Sequence, residues 1–205
     1  MFGPYRDAEH FIAEFIEKRI QQDQGILLFA IFDKTRIVND DTQGNHVTLA
    51  GIIALLDSSV AYLKTEIGSV VILPQFQRTH VASNAVGLLL HYALDLPQNI
   101  NSPGLGLRRV SWKANSNNQA SIRLAEKMGF RMEGTLRWDR VFPPDRKALG
   151  VGNGREIRPG DSKRDCVGRD TVLLSLCWDD WEEGAREQVD MVMARKNRIV
   201  NSPEI

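Results

Sequence analysis

Residue types able to do chemistry are sparse in this 205-residue chain, and most are scattered. Of the four histidines, His80 and His91 fall on one helix eleven positions apart. The helical rise of about 1.5 Å per residue puts them roughly 16 Å apart, too far to share a metal. Cys166 and Cys177 match neither a zinc spacing nor a disulfide framework. "GVGNG" at 150–154 looks like part of a dinucleotide fingerprint. No strand precedes it and "REIRPG" follows where a helix should begin, so it reads as a flexible loop. One stretch suits a chemical site better. "EIGSVVILP", 66–74, reads as a strand that leads through "QFQRTHVA" into a long apolar helix. The first-turn N–H groups of such a helix form an anion site. On period-2 alternation Glu66 shares a face with Gly68, Val70 and Ile72, and a carboxylate among apolar groups has its pKa raised toward a base's working range.

The elements that must hold these residues follow from hydrophobic periodicity. Residues 7–22 place Phe11, Phe15, Ile16 and Ile20 on one helical face, with Asp7 as N-cap and Gly25 ending the segment. Strands follow at 26–34, 46–57 and 65–74, the first two separated by a polar turn containing "NDDTQGN" and the third stopped by Pro74. A largely buried helix spans about 78–96, and "GLRRVSWKAN" is another strand. "SNNQASIRLAEKMGF" is a helix capped by Ser116 or Asn117 and stopped by Gly129. The strand "FRMEGTLRWDRVF", a loop insertion at about 143–168, the strand "DTVLLSLCW" and a C-terminal helix at about 180–197 complete the chain, with Trp178 and Trp181 as core aromatics. This pattern implies a single α/β (α+β) domain over 1–205, a mixed sheet covered by helices.

Composition excludes several function classes. Lys+Arg and Asp+Glu both number 26, so net charge offers no attraction to nucleic acid or to an anionic membrane. The apolar runs are strand-sized, and the N-terminus has no basic segment followed by an apolar run. A cytoplasmic protein without a bound metal is expected.

The strand–"QFQRTHVA"–helix unit, then "ANSNNQASIRLAEKMGF", then "FRMEGTLRWDRV" resemble in order and wording the GNAT superfamily of acyl-CoA-dependent N-acetyltransferases. The likeness runs from about Gly3 to Trp181 and is greatest to the branch with the ribosomal-protein alanine N-acetyltransferases, and there to fungal members. It implies a twisted, mostly antiparallel sheet flanked by helices, acetyl-CoA as cosubstrate, and a primary amine as acceptor. In that family a Q/R-x-x-G-x-G/A turn wraps the CoA pyrophosphate with backbone amides. The matching stretch here is Gln77, Arg78, Thr79, His80, Val81 and Ala82, with Ser83 following. Arg78 and His80 stand where the family usually has glycine. The edge of Val70, Val71, Ile72 and Leu73 matches the strand that pairs with the pantetheine arm. Asn118 matches an asparagine on the cofactor arm, and Ser121 a residue near the thiol where many members keep a tyrosine acid.

Glu66 lies where some relatives place their catalytic glutamate; the alternative for it is a solvated strand end or an ion pair. For Ser121 the alternative is a surface or capping role. The chemistry needs a neutral amine whose proton is accepted, a donor for the departing thiolate and a donor for the oxyanion. Asp139 and Arg140 sit where close relatives put a second acidic group, and Arg140 cannot act as a base. A rival reading keeps the fold as a CoA-binding scaffold without efficient catalysis. The opening residues resemble the family from its second helix onward, so a first strand and helix are expected to be absent, with an exposed edge and a homodimer as consequences.

Overall fold

The computed structural model describes residues 5–40, 44–100 and 103–195. Helix α1 (Ala8–Phe11) opens at Asp7, whose side chain accepts the His10 N–H at 2.7 Å, and continues as a wider π-helical stretch, Ile12–Ile20. Its apolar stripe forms as the spacing predicts: Phe15 is buried, and Phe11 stacks on it with ring centroids 5.3 Å apart.

Six strands make one sheet in the order β1-β2-β3-β4-β6-β5. They are β1 (Leu27–Asp40), β2 (Gly44–Ser59), β3 (Lys64–Ile72), β4 (Arg109–Asn115), β5 (Arg131–Phe142) and β6 (Val167–Cys177). All neighbours run antiparallel except β3 and β4. That pair needs a crossover, which helix α2 (Val81–Leu94) supplies after a short 3-10 turn at Pro74–Phe76. Helix α3 (Gln119–Lys127) joins β4 to β5, and Gly129 ends it in the left-handed region at φ 88°. After β6 come α4 (Trp178–Asp180), a stretch Trp181–Ala185 kinked at Gly184, whose φ is 125°, and α5 (Arg186–Met193). Positions 196–197 of the expected C-terminal helix, residues 1–4 of the expected first segment, and residues 41–43 of the first polar turn lie outside the described residues.

The main core lies on the sheet face that α2, α3 and α5 cover. Ile53 and Leu55 of β2, Ile67 of β3, Val110 and Trp112 of β4, and Leu174 and Leu176 of β6 meet Val86, Leu90, Ile122 and Val189 there. A polar latch fixes α2 against the C-terminal helices. Buried Asp95 accepts from Trp181 Nε1 at 3.0 Å, and His91 lies 2.9 Å from both Asp95 and Asp190.

Three local expectations are corrected. The cap of α3 is neither Ser116 nor Asn117 but Asn118, whose Oδ1 accepts the Ser121 N–H at 3.1 Å. The Asn117 N–H is already taken by Asn115 Oδ1, at 2.9 Å, and this turn delays the helix. Trp181 is a core residue, but Trp178 is 49% exposed at the first position of α4, where the chain leaves the end of β6. The "GVGNG" segment is anchored rather than loose. Asn115 Nδ2 donates to the Val151 carbonyl at 2.7 Å, Asn117 Nδ2 donates to the Gly152 carbonyl at 2.6 Å, and Val151 is buried.

Candidate active site

The parallel strands β3 and β4 stay in register only at Lys64↔Arg109, Thr65↔Val110 and Glu66↔Ser111. Beyond Glu66 they separate, and the cause is local to β3. Ser69 takes a left-handed φ of 49°, and the pairing with β2 skips from Ala54↔Gly68 to Ile52↔Val71. This is a β-bulge, which bends the strand and re-aims its side chains. Gly51 permits it, since a Cβ there would lie 2.1 Å from the Val71 carbonyl oxygen.

The gap opens into a cleft of about 340 Å³. Trp112, Lys113, Ala114 and Asn115 of β4 all line it, although alternate strand residues face opposite sides of a sheet. The cleft therefore passes through the sheet and joins its two faces. Helix α1 roofs the face away from the main core, bringing Phe11, Phe15 and Arg19 to the cleft.

The bulge corrects one expectation directly. Ile67 and Val70 both pack toward the main core, so the alternation breaks between them, and Glu66 does not share a face with Val70. Glu66 instead lies on the α1 side, nearly buried, with Lys113 Nζ 2.7 Å from its Oε2. Of the alternatives open for Glu66, the structure realises the ion pair. Its other oxygen stands over Gly68, 3.5 Å from where a Cβ would sit.

Further cations surround this pair. Arg140 of β5 and Arg169 of β6 are register partners and line the cleft with Arg19. Burial lowers the Arg169 pKa from its ordinary value and the nearby Arg140 lowers it again; burial and Arg140 act on Arg19 in the same way. Asp139, the neighbouring acid, lies 3.5 Å from Arg140 Nε and accepts the Thr171 hydroxyl at 2.6 Å.

On the opposite side of the opening stands Ser121. Trp112 Nε1 donates to its Oγ at 3.0 Å, so the hydroxyl oxygen is held while its own proton stays available as a donor. Ser121 is thus neither the cap of α3 nor a mere surface residue. Asn118, committed through Oδ1 to the cap, still borders the cleft with its amide group.

Of the residues singled out by sequence, Glu66, Val70, Val71, Asn118 and Ser121 meet in this cleft. Ile72, Leu73 and Gln77–Ser83 lie beyond its lining, where β3 passes into α2. There Gln77 Nε2 donates to the Ile72 carbonyl at 3.0 Å, and Thr79 Oγ1 donates to the Phe76 carbonyl at 2.6 Å and accepts the Val81 N–H at 3.3 Å. Arg78 is exposed and left-handed, at φ 61°. His80 precedes α2, with Nε2 3.5 Å from Asp33 Oδ1. The N–H groups of Ala82 and Ser83 belong to the first turn, which has no acceptors within the helix.

Sequence reasoning missed Arg19, Lys113 and Arg169. A signal existed for the first, because Arg19 continues the i, i+4 stripe of Phe11 and Phe15 and so faces inward. Cys177, Asp179 and Asp180 are the potential metal ligands brought together among the described residues. Their proximity follows from the start of α4, where Asp180 Oδ2 accepts the Cys177 N–H and Oδ1 pairs with Arg131 at 2.7 Å. Among the described residues no helix is long and apolar enough to cross a membrane.

Comparison with known proteins agrees with this architecture. The family model for the acetyltransferase (GNAT) domain matches residues 2–131. No curated protein gives a match. The chain is similar to a GCN5-related N-acetyltransferase from Brucella melitensis, with a TM-score of 0.62 and 25% identity, covering 94% of this chain and 68% of that one. It is also similar to a probable acetyltransferase (GNAT family) from Chromobacterium violaceum, with a TM-score of 0.58 and 25% identity, covering 88% and 73%. A chimera of the Vibrio cholerae spermidine N-acetyltransferase SpeG and hSSAT shares the fold alone, with a TM-score of 0.57 and 16% identity, covering 88% and 85%. With the matched domain extending over residues 2–131 of 205, the chain belongs to the GNAT acetyltransferase family.

Proposed function

We propose that the protein is an N-acetyltransferase that moves an acetyl group from acetyl-CoA to a primary amine by direct attack, within the branch that includes the ribosomal-protein alanine N-acetyltransferases. The observation that carries this reading is the opening between β3 and β4, which joins Ser121 on one side of the sheet to Glu66 on the other. GNAT acetyltransferases use acetyl-CoA as cosubstrate, and the residues present fit it. Arg78 already holds the left-handed backbone for which glycine is usual, leaving the loop's path intact. The first-turn N–H groups of Ala82 and Ser83 suit a pyrophosphate, and the β3 edge from Val70 to Leu73 suits an amide-bearing arm.

Acetyl-CoA supplies an activated thioester when bound. Ser121 donates its free hydroxyl proton to the sulfur side. Asn118 orients the arm through its amide. Glu66 accepts the amine proton through the oxygen that Lys113 leaves unpaired. The second reading, a CoA binder without efficient turnover, draws on the Glu66–Lys113 pair itself, since an ion-paired carboxylate is a weaker base. Thiol release from acetyl-CoA with a panel of amines separates them: turnover is expected, with Glu66→Gln slowing it about 100-fold and Ser121→Ala about 10-fold. Saturable acetyl-CoA binding by calorimetry without any thiol release selects the binder.

A further inference from the structure

We infer that the acceptor amine also carries an acid group, a carboxylate or phosphate, received by Arg169 and Arg140; this rests on the acetyltransferase reading above. The α1 side of the cleft is lined by Arg19, Lys113, Arg140 and Arg169, with Glu66 as the carboxylate among them. That carboxylate is engaged with Lys113 at 2.7 Å, and Asp139 with Arg140 and Thr171. Arg169 is left over. Among the described residues no carboxylate lies within ion-pair distance of it, and its Nε is buried without a hydrogen-bond partner. The Phe142 ring lies under it, its centroid 6.0 Å from the guanidinium carbon.

A half-buried cation whose buried Nε has no hydrogen-bond partner is destabilising, and an acidic ligand is what resolves it. Arg140 and Arg169 are register partners across the β5–β6 ladder and both line the cleft, so two planar forks are brought to one end of it, and such forks suit carboxylate or phosphate oxygens. Arg169 is four residues along β6 from Leu173, the register partner of Lys113. The backbones are therefore about 13 Å apart along the strand, and long side chains reach inward from both ends. A short chain with an acid at one end and an amine at the other spans from the arginine pair to Glu66. The same cations repel a polyamine, which separates this site from one for spermidine.

The test is calorimetry on the full chain with CoA present, using 4-aminobutyrate, O-phosphoethanolamine, 4-aminobutanamide and putrescine as probes. The acid-bearing amines should bind at least about tenfold tighter than the amide, a ratio typical of one charge-assisted pair, and putrescine should not bind. The tighter of the two acids identifies the group. Arg169→Gln should abolish the preference without lowering the melting temperature, and Arg169→Lys should restore it only in part. Arg140→Gln, at a half-exposed side chain, should weaken the same preference and serves if Arg169→Gln does not fold. Equal or tighter binding of putrescine or the amide, no binding of either acid at 10 mM, or a preference unchanged in both glutamine variants overturns the inference. Acid-selective binding without thiol release from acetyl-CoA overturns the acetyltransferase reading and leaves the acid site standing.

Discussion

Arg78 holds a conformation that suits glycine, at φ 61°, with its side chain in solvent. A left-handed backbone costs a residue with a Cβ roughly 1–2 kcal/mol. Arg78→Gly should therefore raise unfolding stability by about 1 kcal/mol in urea melts, part of the gain being offset by the freer unfolded chain. If the guanidinium also meets a phosphate, Arg78→Ala should weaken acetyl-CoA binding about tenfold while leaving stability within a few tenths of a kcal/mol. Unchanged affinity in Arg78→Ala removes the residue from the cofactor site. Glu133 makes a second prediction at this scale. Arg109 grips it through both guanidinium nitrogens, at 2.6 and 2.5 Å, and Ser175 donates to it at 2.7 Å. These bonds, the Arg109 bond first, lower its pKa from 4.5 to about 2. The folded value lies below the unfolded one, so the stabilisation is present above pH 4.5 and is lost as pH falls through about 2. The side chain is 36% exposed, which reduces the contribution to about 1 kcal/mol after solvent screening. In Glu133→Gln the melting temperature should fall less steeply between pH 4.5 and 2 than in the parent. Parallel curves count against this linkage.

At the scale of elements, the bulge in β3 decides what the site is. Gly51 lies against the carbonyl of Val71, a backbone atom that cannot step aside. Gly51→Ala should cost about 2–3 kcal/mol by overpacking and, by moving β3, weaken acetyl-CoA binding as well. A full loss of binding with normal stability contradicts this account. The fold was legible because its signals are redundant: the stripe Phe11–Phe15, the apolar strands and the glycine stop at Gly129 each fit a period or a cap. The bulge was not, because an extra residue in "GSVV" is invisible to a pattern that assumes strict alternation, and Ser69 is not a residue that announces a positive φ. That single slip misplaced Val70 relative to Glu66. The cap of α3 escaped for a related reason. "NSNN" offers several capping residues, and only the hydrogen bond from the Asn117 N–H to Asn115 shows which is already spent. Arg169 could not be read either, since its meaning comes from a register partner twenty-nine positions away, Arg140.

At the scale of the molecule, charge and topology converge on the same opening. Acidic and basic residues balance at 26 each, yet the cleft gathers Arg19, Lys113, Arg140 and Arg169 around one carboxylate. A cationic cleft in a neutral protein concentrates anions locally and does little beyond a Debye length, about 10 Å at 0.1 M salt. The cleft also divides the sheet. Strands β1–β3 and β4–β6 share the register pairs from Lys64 to Glu66 and the Glu66–Lys113 ion pair, and are further joined by the core under α2 and by the latch of α2 to the C-terminal helices. Backbone groups of β3 past Glu66 that face β4 have no ladder partner there, so local opening should be easiest along this edge. A ligand that fills the gap and hydrogen-bonds the edge supplies the missing ladder and joins the halves. Acetyl-CoA at 100 times its dissociation constant should then add about 2.7 kcal/mol to global stability by mass action. Hydrogen exchange should show more than that general gain: amides of Val70–Ile72 should become protected well beyond those of β5, which lies at the far edge of the sheet. Uniform protection across the chain, or protection confined to α2, means that the arm does not lie between the strands, and the opening then needs another occupant.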